Sequence, residues 1–213
     1  MNAESNAMGR FAAFTPSIAN MIRMDHTHVL ALLRRYKPNT SPGRKSALVA
    51  NACLALEVHA QLEEEIFYPA LIAAGIRDDV LEKSVPEHDE MRRLIGELRA
   101  TNGGGGQDSN FRALMRAVLH HVADEETVLL PQAEEVLWDR LGELGAQMTK
   151  RRLQLLKPHV GQIGLTTAQS FPIASALAAV GVLALREPAL TPGICRCVAL
   201  SLIRCRDWRL APG

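Results

Sequence analysis

Apolar residues recur at spacings of three and four along roughly the first 150 positions, the pattern of amphipathic helices with one buried stripe. The first stripe, Ile18, Ile22, Val29, Leu33 and Tyr36, predicts a helix from about Ser17 to Lys37, started by Pro16-Ser17 and stopped by Pro38. A second helix begins after Ser41-Pro42-Gly43 and continues past Ala70, and a third runs from about Asp78 to Arg99. Thr101 to Asn110, with four glycines at Gly103–Gly106, reads as a polar loop. The fourth helix starts near Phe111 and continues into Lys150. No segment alternates with period two for long enough to argue a strand. The expectation is an all-α, antiparallel, up-and-down four-helix bundle over residues 15–155.

Composition agrees with this reading. Of 213 residues, 47% are hydrophobic and 22% charged, enough apolar material for a sizeable core and too much for a disordered chain. The formal net charge of +1 hides an asymmetry. Residues 1–145 carry −6 and the remainder +7. An acidic first two-thirds is a poor nucleic-acid platform, so no nucleic-acid partner is expected. Cys53, Cys195, Cys197 and Cys205 form no CxxC pair and no disulfide framework, and the N-terminus lacks the pattern of a signal peptide. Both features point to a reducing, cytoplasmic setting.

A repeat runs through the bundle. A shift of 62 positions superposes His26 on His88, His59 on His121, Glu63 on Glu125, Glu64 on Glu126 and Pro69 on Pro131, with Asp25 and Glu87 matching as acids. Histidine fills only 7 of 213 positions, so this agreement is not accidental. The unit is one helix pair, and two copies build the bundle.

The repeated residues also carry the chemistry. His59-x3-Glu63 and His121-x3-Glu125 each put an imidazole and a carboxylate about 40° apart around a helix and about 6 Å along it, close enough to share one metal or bridge two. His26 and His88 lie on the apolar stripes of the other two helices. A lone histidine on such a stripe is usually a satisfied core residue, and an isolated HxxxE is usually a solvated pair. Six such residues, spread symmetrically over four helices, are better explained by cations that compensate their burial. Imidazole with carboxylate and no thiolate suits iron, manganese or zinc. Six protein ligands cannot fill two metal shells, so bridging carboxylates, oxo or hydroxo groups and open positions are expected. Glu-x-x-His and HExxH motifs are absent, which argues against a ferritin-like site and a zinc protease.

These motifs resemble the hemerythrin-like, or HHE cation-binding, domains. Asp25-His26, Glu57-Val-His-Ala-Gln-Leu-Glu-Glu-Glu-Ile-Phe-Tyr-Pro69, Glu87-His88 and His121-x3-Glu125 ending at Pro131 carry the likeness, together with Trp138 to Arg152. The resemblance implies an antiparallel four-helix bundle around two non-haem iron ions. It further implies His26, His59, His88 and His121 as terminal ligands and Glu63 and Glu125 as bridging ligands. Oxygen carriers of this family have a fifth histidine where this chain has Ser84, and an Asp at i+5 where it has Glu125 at i+4. The missing nitrogen leaves one iron open, to be filled by water, Glu64 or Glu126. This departure argues for sensing or handling of oxygen, nitric oxide or iron rather than reversible oxygen carriage. An oxidoreductase acting on peroxide or nitric oxide and a purely structural metal bundle stay open as alternatives.

Outside the constellation, His28 reads as surface, His120 as peripheral, His159 as outside the bundle and Cys53 as a small core residue. Residues 156–213 read as a separate apolar helix followed by a basic, poorly ordered tail. The densest apolar stretch, Phe171 to Leu185, would span about 22 Å as a helix, short of the ~30 Å hydrocarbon core. Extended to Leu165, the segment 165–185 is a candidate for membrane contact or for packing on the bundle.

Overall fold

The computed structural model describes residues 15–101 and 105–170, all of it helix and connecting turns, with no strand among the described residues. Helix α1 spans Ile18–Arg35; the Ser17 side chain caps it, accepting from the Asn20 backbone N–H at 3.3 Å. Helix α2, Pro42–Leu62, runs without interruption through a π-helical turn, Glu63–Phe67, into α3, Tyr68–Ala73. Gly75, with φ 90°, ends this rod: its left-handed backbone lets Ile76 N–H reach back to Leu71 O at 3.1 Å. Helix α4 spans Asp79–Thr101. The fourth rod repeats the second: α5, Gln107–Asp124, then a π turn, Glu125–Leu129, then α6, Leu130–Val136. The four rods form an antiparallel up-and-down bundle.

Two differences from the sequence reading have physical causes. The fourth helix begins at Gln107, not near Phe111, and it does not continue into Lys150. It ends at Val136, and after a turn α7, Leu141–Leu156, folds back against α1 and α2. The stripe Leu137, Leu144 and Met148 stays in helical register across that turn, because all three side chains fill the same core. Periodicity alone therefore carries no sign of the break. Close approach fixes α7: a Cβ on Gly145 would lie 2.1 Å from Pro16 O.

A 3-10 turn, Lys157–His159, leads into α8, Val160–Ser170, which packs along α2, Thr166 Oγ1 donating to Asn51 Oδ1. Among the described residues no helix is long and apolar enough to cross a membrane. Most of the 165–185 segment, and Cys195, Cys197 and Cys205, lie outside the described residues.

The core divides into two apolar clusters. One holds Ile18, Ile22, Leu62, Phe67, Leu71 and Leu130; the other holds Val29, Leu32, Leu48, Leu56, Ile95 and Phe111. Between them lies a buried polar layer of His26, His59, Glu63, Ser84, His88, His121 and Glu125. The layer sits where each helix stripe changes from one cluster to the other, as at Ile22-His26-Val29 in α1. Both ends of the layer are thus sealed against water.

Candidate metal centre

Each rod supplies one histidine to the layer: His26 from α1, His59 from α2, His88 from α4 and His121 from α5. Glu63 and Glu125 open the two π turns, and both are fully buried. All six residues singled out in the sequence converge. The imidazoles form two close pairs, with ring centroids 5.0 Å apart for His26–His59 and 4.6 Å for His88–His121, so each repeat contributes one pair. Glu63 Oε2 lies 3.2 Å from His59 Nε2 and 3.4 Å from His88 Nε2. Glu125 Oε2 lies 3.2 Å from His26 Nε2 and 3.5 Å from His121 Nε2. Each carboxylate therefore reaches both pairs, the arrangement of a bridging ligand. His59, Glu63, His88 and His121 form one potential cation group, and His26, His59, Glu63 and Glu125 form a second that overlaps it.

The outward nitrogens have a second pattern. His26 Nδ1 meets Glu126 at 2.8 Å, His88 Nδ1 meets Glu64 at 2.9 Å, and His121 Nδ1 meets Glu87 at 3.0 Å. His59 Nδ1 faces Asp25 at 3.6 Å. A carboxylate at Nδ1 directs Nε2 inward and makes it a better donor, as metal sites require. The wiring follows the repeat. Asp25 and Glu87 serve the HxxxE histidine of their own copy, whereas Glu64 and Glu126 serve the first histidine of the other copy. Glu64 and Glu126, two of the three groups expected at the open position beside water, are here hydrogen-bonded to the imidazoles of His88 and His26. Cations hold these acids in turn: Arg152 on Asp25, Arg92 on Glu64, and Arg23 on Glu126. Glu87 is held by the exposed His120, 3.2 Å away. His120, Glu87 and Asp124 form a surface cluster joined by Lys83 and stand outside the central layer.

Electrostatics reinforce the geometry. Burial pushes the Glu63 carboxyl up, but the charge of His59 and hydrogen bonds from His121 and His88 outweigh it and hold it well below the usual carboxylate range. Burial pushes His121 down, yet Glu63, Glu87 and Glu125 together raise it to about 10. His26 is likewise raised, burial being outweighed mainly by Glu125 and Glu63.

The donor set fits metal. His26 Nε2, both His59 ring nitrogens, Glu63 Oε1 and Glu125 Oε2 are buried atoms without a hydrogen-bond partner among the described residues. Orphaned polar atoms are costly, and His26 Nε2 and Glu125 Oε2 among them lie 3.2 Å apart, near enough to share one cation.

Tyr68 is the residue that sequence reasoning missed. Its buried hydroxyl donates to Glu125 Oε1 at 2.8 Å and lies 3.2 Å from Glu63 Oε2 and 3.4 Å from His88 Nε2. At 100° per residue, Tyr68 would sit 140° away from Glu63 on an α-helix. The π turn cuts that offset to about 50°, with Tyr68 N–H bonding Glu63 O, five residues back. Pro69 and Pro131 are the visible sign of both π turns, since each removes an N–H that a continuous α-helix would need. Ser84 is fully buried beside Tyr68 and donates to Val80 O at 2.7 Å. His28 is exposed, and Cys53 is buried in the apolar cluster, its thiol pushed up to about 11 by burial.

Residues 17–133 match the family model of the hemerythrin HHE cation-binding domain. The chain belongs to this family. The hemerythrin-type assignment and the buried His/Glu layer together make it a metal-binding bundle. One curated relative is described as a DNA nickase from Nostoc sp. (strain PCC 7120 / SAG 25.82 / UTEX 2576). It is 29% identical over 114 residues, which cover 53% of this chain and 32% of that protein. The chain thus spans about a third of the relative's length. No solved structure matches the chain.

Proposed function

We propose that this hemerythrin-type bundle holds two non-haem iron ions and uses them to sense or handle oxygen, nitric oxide or iron. The observation that carries the reading is the pair of fully buried carboxylates, Glu63 and Glu125, each within reach of both histidine pairs. Two cations at the two histidine pairs, joined through these carboxylates, would satisfy the orphaned atoms of the layer. Manganese and zinc share this ligand chemistry; iron is chosen because bound iron would supply affinity for diatomic ligands and one-electron chemistry. His26 and His59 would hold one ion, and His88 and His121 the other.

The chain's own residues define what such a site can do. Asp25, Glu64, Glu87 and Glu126 orient the imidazoles. The apolar clusters exclude water, which favours small uncharged ligands such as oxygen or nitric oxide over charged substrates. The Tyr68 and Ser84 hydroxyls lie on the side where a fifth histidine is missing, their protons given to Glu125 Oε1 and Val80 O.

Anaerobic iron loading tests this reading. Two iron ions per chain, magnetically coupled after oxidation, and a change in spectrum on exposure to oxygen or nitric oxide are expected. Fewer than one ion per chain would sink it. Turnover of peroxide or nitric oxide with an electron donor would move the assignment to an oxidoreductase. Unfolding on metal removal with no spectral response to either gas would leave a structural metal bundle. Incubation with supercoiled plasmid is the separate test of the activity named for the relative; the −6 charge of residues 1–145 argues for no nicking.

A further inference from the structure

Three of the four histidines in the layer are anchored from outside at hydrogen-bond distance, and the fourth is not. Glu126 meets His26 Nδ1 at 2.8 Å, Glu64 meets His88 Nδ1 at 2.9 Å and Glu87 meets His121 Nδ1 at 3.0 Å. Asp25 stops 3.6 Å from His59 Nδ1, too far for a hydrogen bond. Both ring nitrogens of His59 are accordingly buried without a hydrogen-bond partner among the described residues. Asp25 and Glu87 are equivalent in the repeat and face equivalent histidines, so the difference lies in the side chains and what grips them.

Asp25 is one methylene shorter than Glu87, and it is pulled the other way. Arg152 Nη1 donates to Asp25 Oδ1 at 2.6 Å and Nη2 to Oδ2 at 2.5 Å, a fork-to-fork pair whose side chains are only 25% and 17% exposed. Glu87 faces the exposed His120, and no guanidinium grips it among the described residues. An arginine alone does not cause the gap. Arg92 reaches both oxygens of Glu64 at 2.8 Å, yet the longer Glu64 still keeps His88.

Arg152 comes from outside the four rods. It stands on α7, beyond the residues 17–133 that match the family, and α7 packs against α1 and α2 of the first copy. The anchors of α7 are independent of the layer: Gly145 lies against Pro16, Leu144 and Met148 fill the apolar cluster, and Arg151 Nε donates to Glu65 Oε2 at 2.6 Å. The guanidinium is therefore delivered to a fixed place. A carboxylate bonded to the outward nitrogen fixes an imidazole and strengthens its inward donor, and His59 lacks that bond. The positive charge of Arg152 also offsets the carboxylate charge that would favour a cation. Both effects fall on the same half of the layer.

We propose that Arg152 is a positioning residue that holds Asp25 away from His59, and so makes the ion at His26 and His59 the weaker-bound and more exchangeable of the two. The inference rests on the two-ion reading above.

Anaerobic titration of the full-length, metal-free chain with ferrous iron, in competition with a chelator, tests the proposal. Two ions in two resolved steps, about tenfold or more apart in affinity, are expected. His26→Ala should abolish the weaker step and keep the tighter one; the reverse would overturn the proposal. Asp25→Glu, long enough to reach His59 while Arg152 keeps its grip, should strengthen the weaker step by about tenfold and leave the tighter one unchanged. Arg152→Gln should shift the same step in the same direction. A gain in affinity confined to one step is not what damaged packing produces. Arg151→Gln, one residue away on α7, should alter neither step; an equal gain from it would make the packing of α7 the cause and overturn the proposal. Helicity establishes that each variant folds, and where Arg152→Gln does not, Asp25→Glu carries the test. Two ions of equal affinity, or a weaker step that Asp25→Glu fails to strengthen, overturn the proposal and leave the two-ion reading intact. Fewer than two ions per chain overturn both.

Discussion

The Tyr68 hydroxyl, in the first copy of the repeat, donates to Glu125 Oε1 in the second at 2.8 Å. This bond ties the two halves together inside the polar layer. Removing it in Tyr68→Phe leaves a buried carboxylate oxygen short of a partner, at a cost of about 1.5–3 kcal/mol to the metal-free fold. Thermal unfolding of the metal-free protein reads the loss. The metal content of the loaded variant should stay at the wild-type value, because the phenol is not among the six converging donors; loss of metal would make Tyr68 a ligand.

Each histidine of the layer should behave differently from its sequence neighbours. His59→Ala and His121→Ala each remove a nitrogen that no adjacent group replaces, and metal analysis should find most of the iron gone. His28→Ala and His120→Ala leave the converging set intact, and iron content should not change. Equal loss from His120→Ala and His121→Ala would contradict the helical register seen here.

The outer carboxylates should matter almost as much. Glu126→Gln keeps the size of the side chain but weakens its hold on His26 Nδ1, and Asp25→Asn removes the negative charge that faces His59 Nδ1 at 3.6 Å. Metal affinity should fall by about 10- to 100-fold in each, measured by competition with a chelator. An unchanged affinity would mean that these acids serve only their arginine partners.

Protonation and metal compete for the same nitrogens, which gives the metal-free protein a defined response to pH. His121 is raised in the folded state to about 10, above its unfolded value of about 6.5. Its protonation therefore stabilises the metal-free fold fully below pH about 6.5, and that contribution is lost as pH rises toward about 10. A metal-bound imidazole carries no such proton. The difference in Tm between loaded and metal-free protein should widen between pH 6.5 and 9, and loading near pH 7 should release protons detectable with a pH indicator. A constant difference across that range would show that His121 does not exchange a proton for metal.

Gly145 tests the packing of α7. Gly145→Ala would drive a methyl group into the Pro16 carbonyl, so α7 must shift away from α1. A loss of about 1–3 kcal/mol is expected from chemical denaturation, with no loss of metal, because α7 contributes no ligand.

Most of the site was legible because it is repeated. His26, His59, Glu63, His88, His121 and Glu125 each sit at the helical phase their apolar neighbours dictate, so periodicity alone aims them into the core. What escaped has a common cause, local departure from α-helical geometry. Tyr68 joins the layer only because the π turn resets the phase after Glu63, and a strict 3.6-residue period places it elsewhere. The break after Val136 was hidden for the opposite reason: Leu137, Leu144 and Met148 keep the phase of a continuous helix while the backbone turns. The roles of Glu64 and Glu126 were illegible because adjacency to a ligand does not show whether a side chain faces the metal or the imidazole of another helix.

The crosswise wiring has a consequence for how this molecule can change. His26 leans on Glu126 and His88 on Glu64, so each hairpin finishes the other's ligands, and neither copy can drift at these positions without damaging its sibling. The duplicated halves are bound to a shared history there. Where the wiring does not reach, they have parted: Tyr68 stands opposite Leu130 and Ser84 opposite Ile22. Each hairpin carries one of the two hydroxyls and one of the two apolar counterparts, and the hydroxyls meet on one side of the layer. The polar layer thus has two unlike faces inside a symmetric frame.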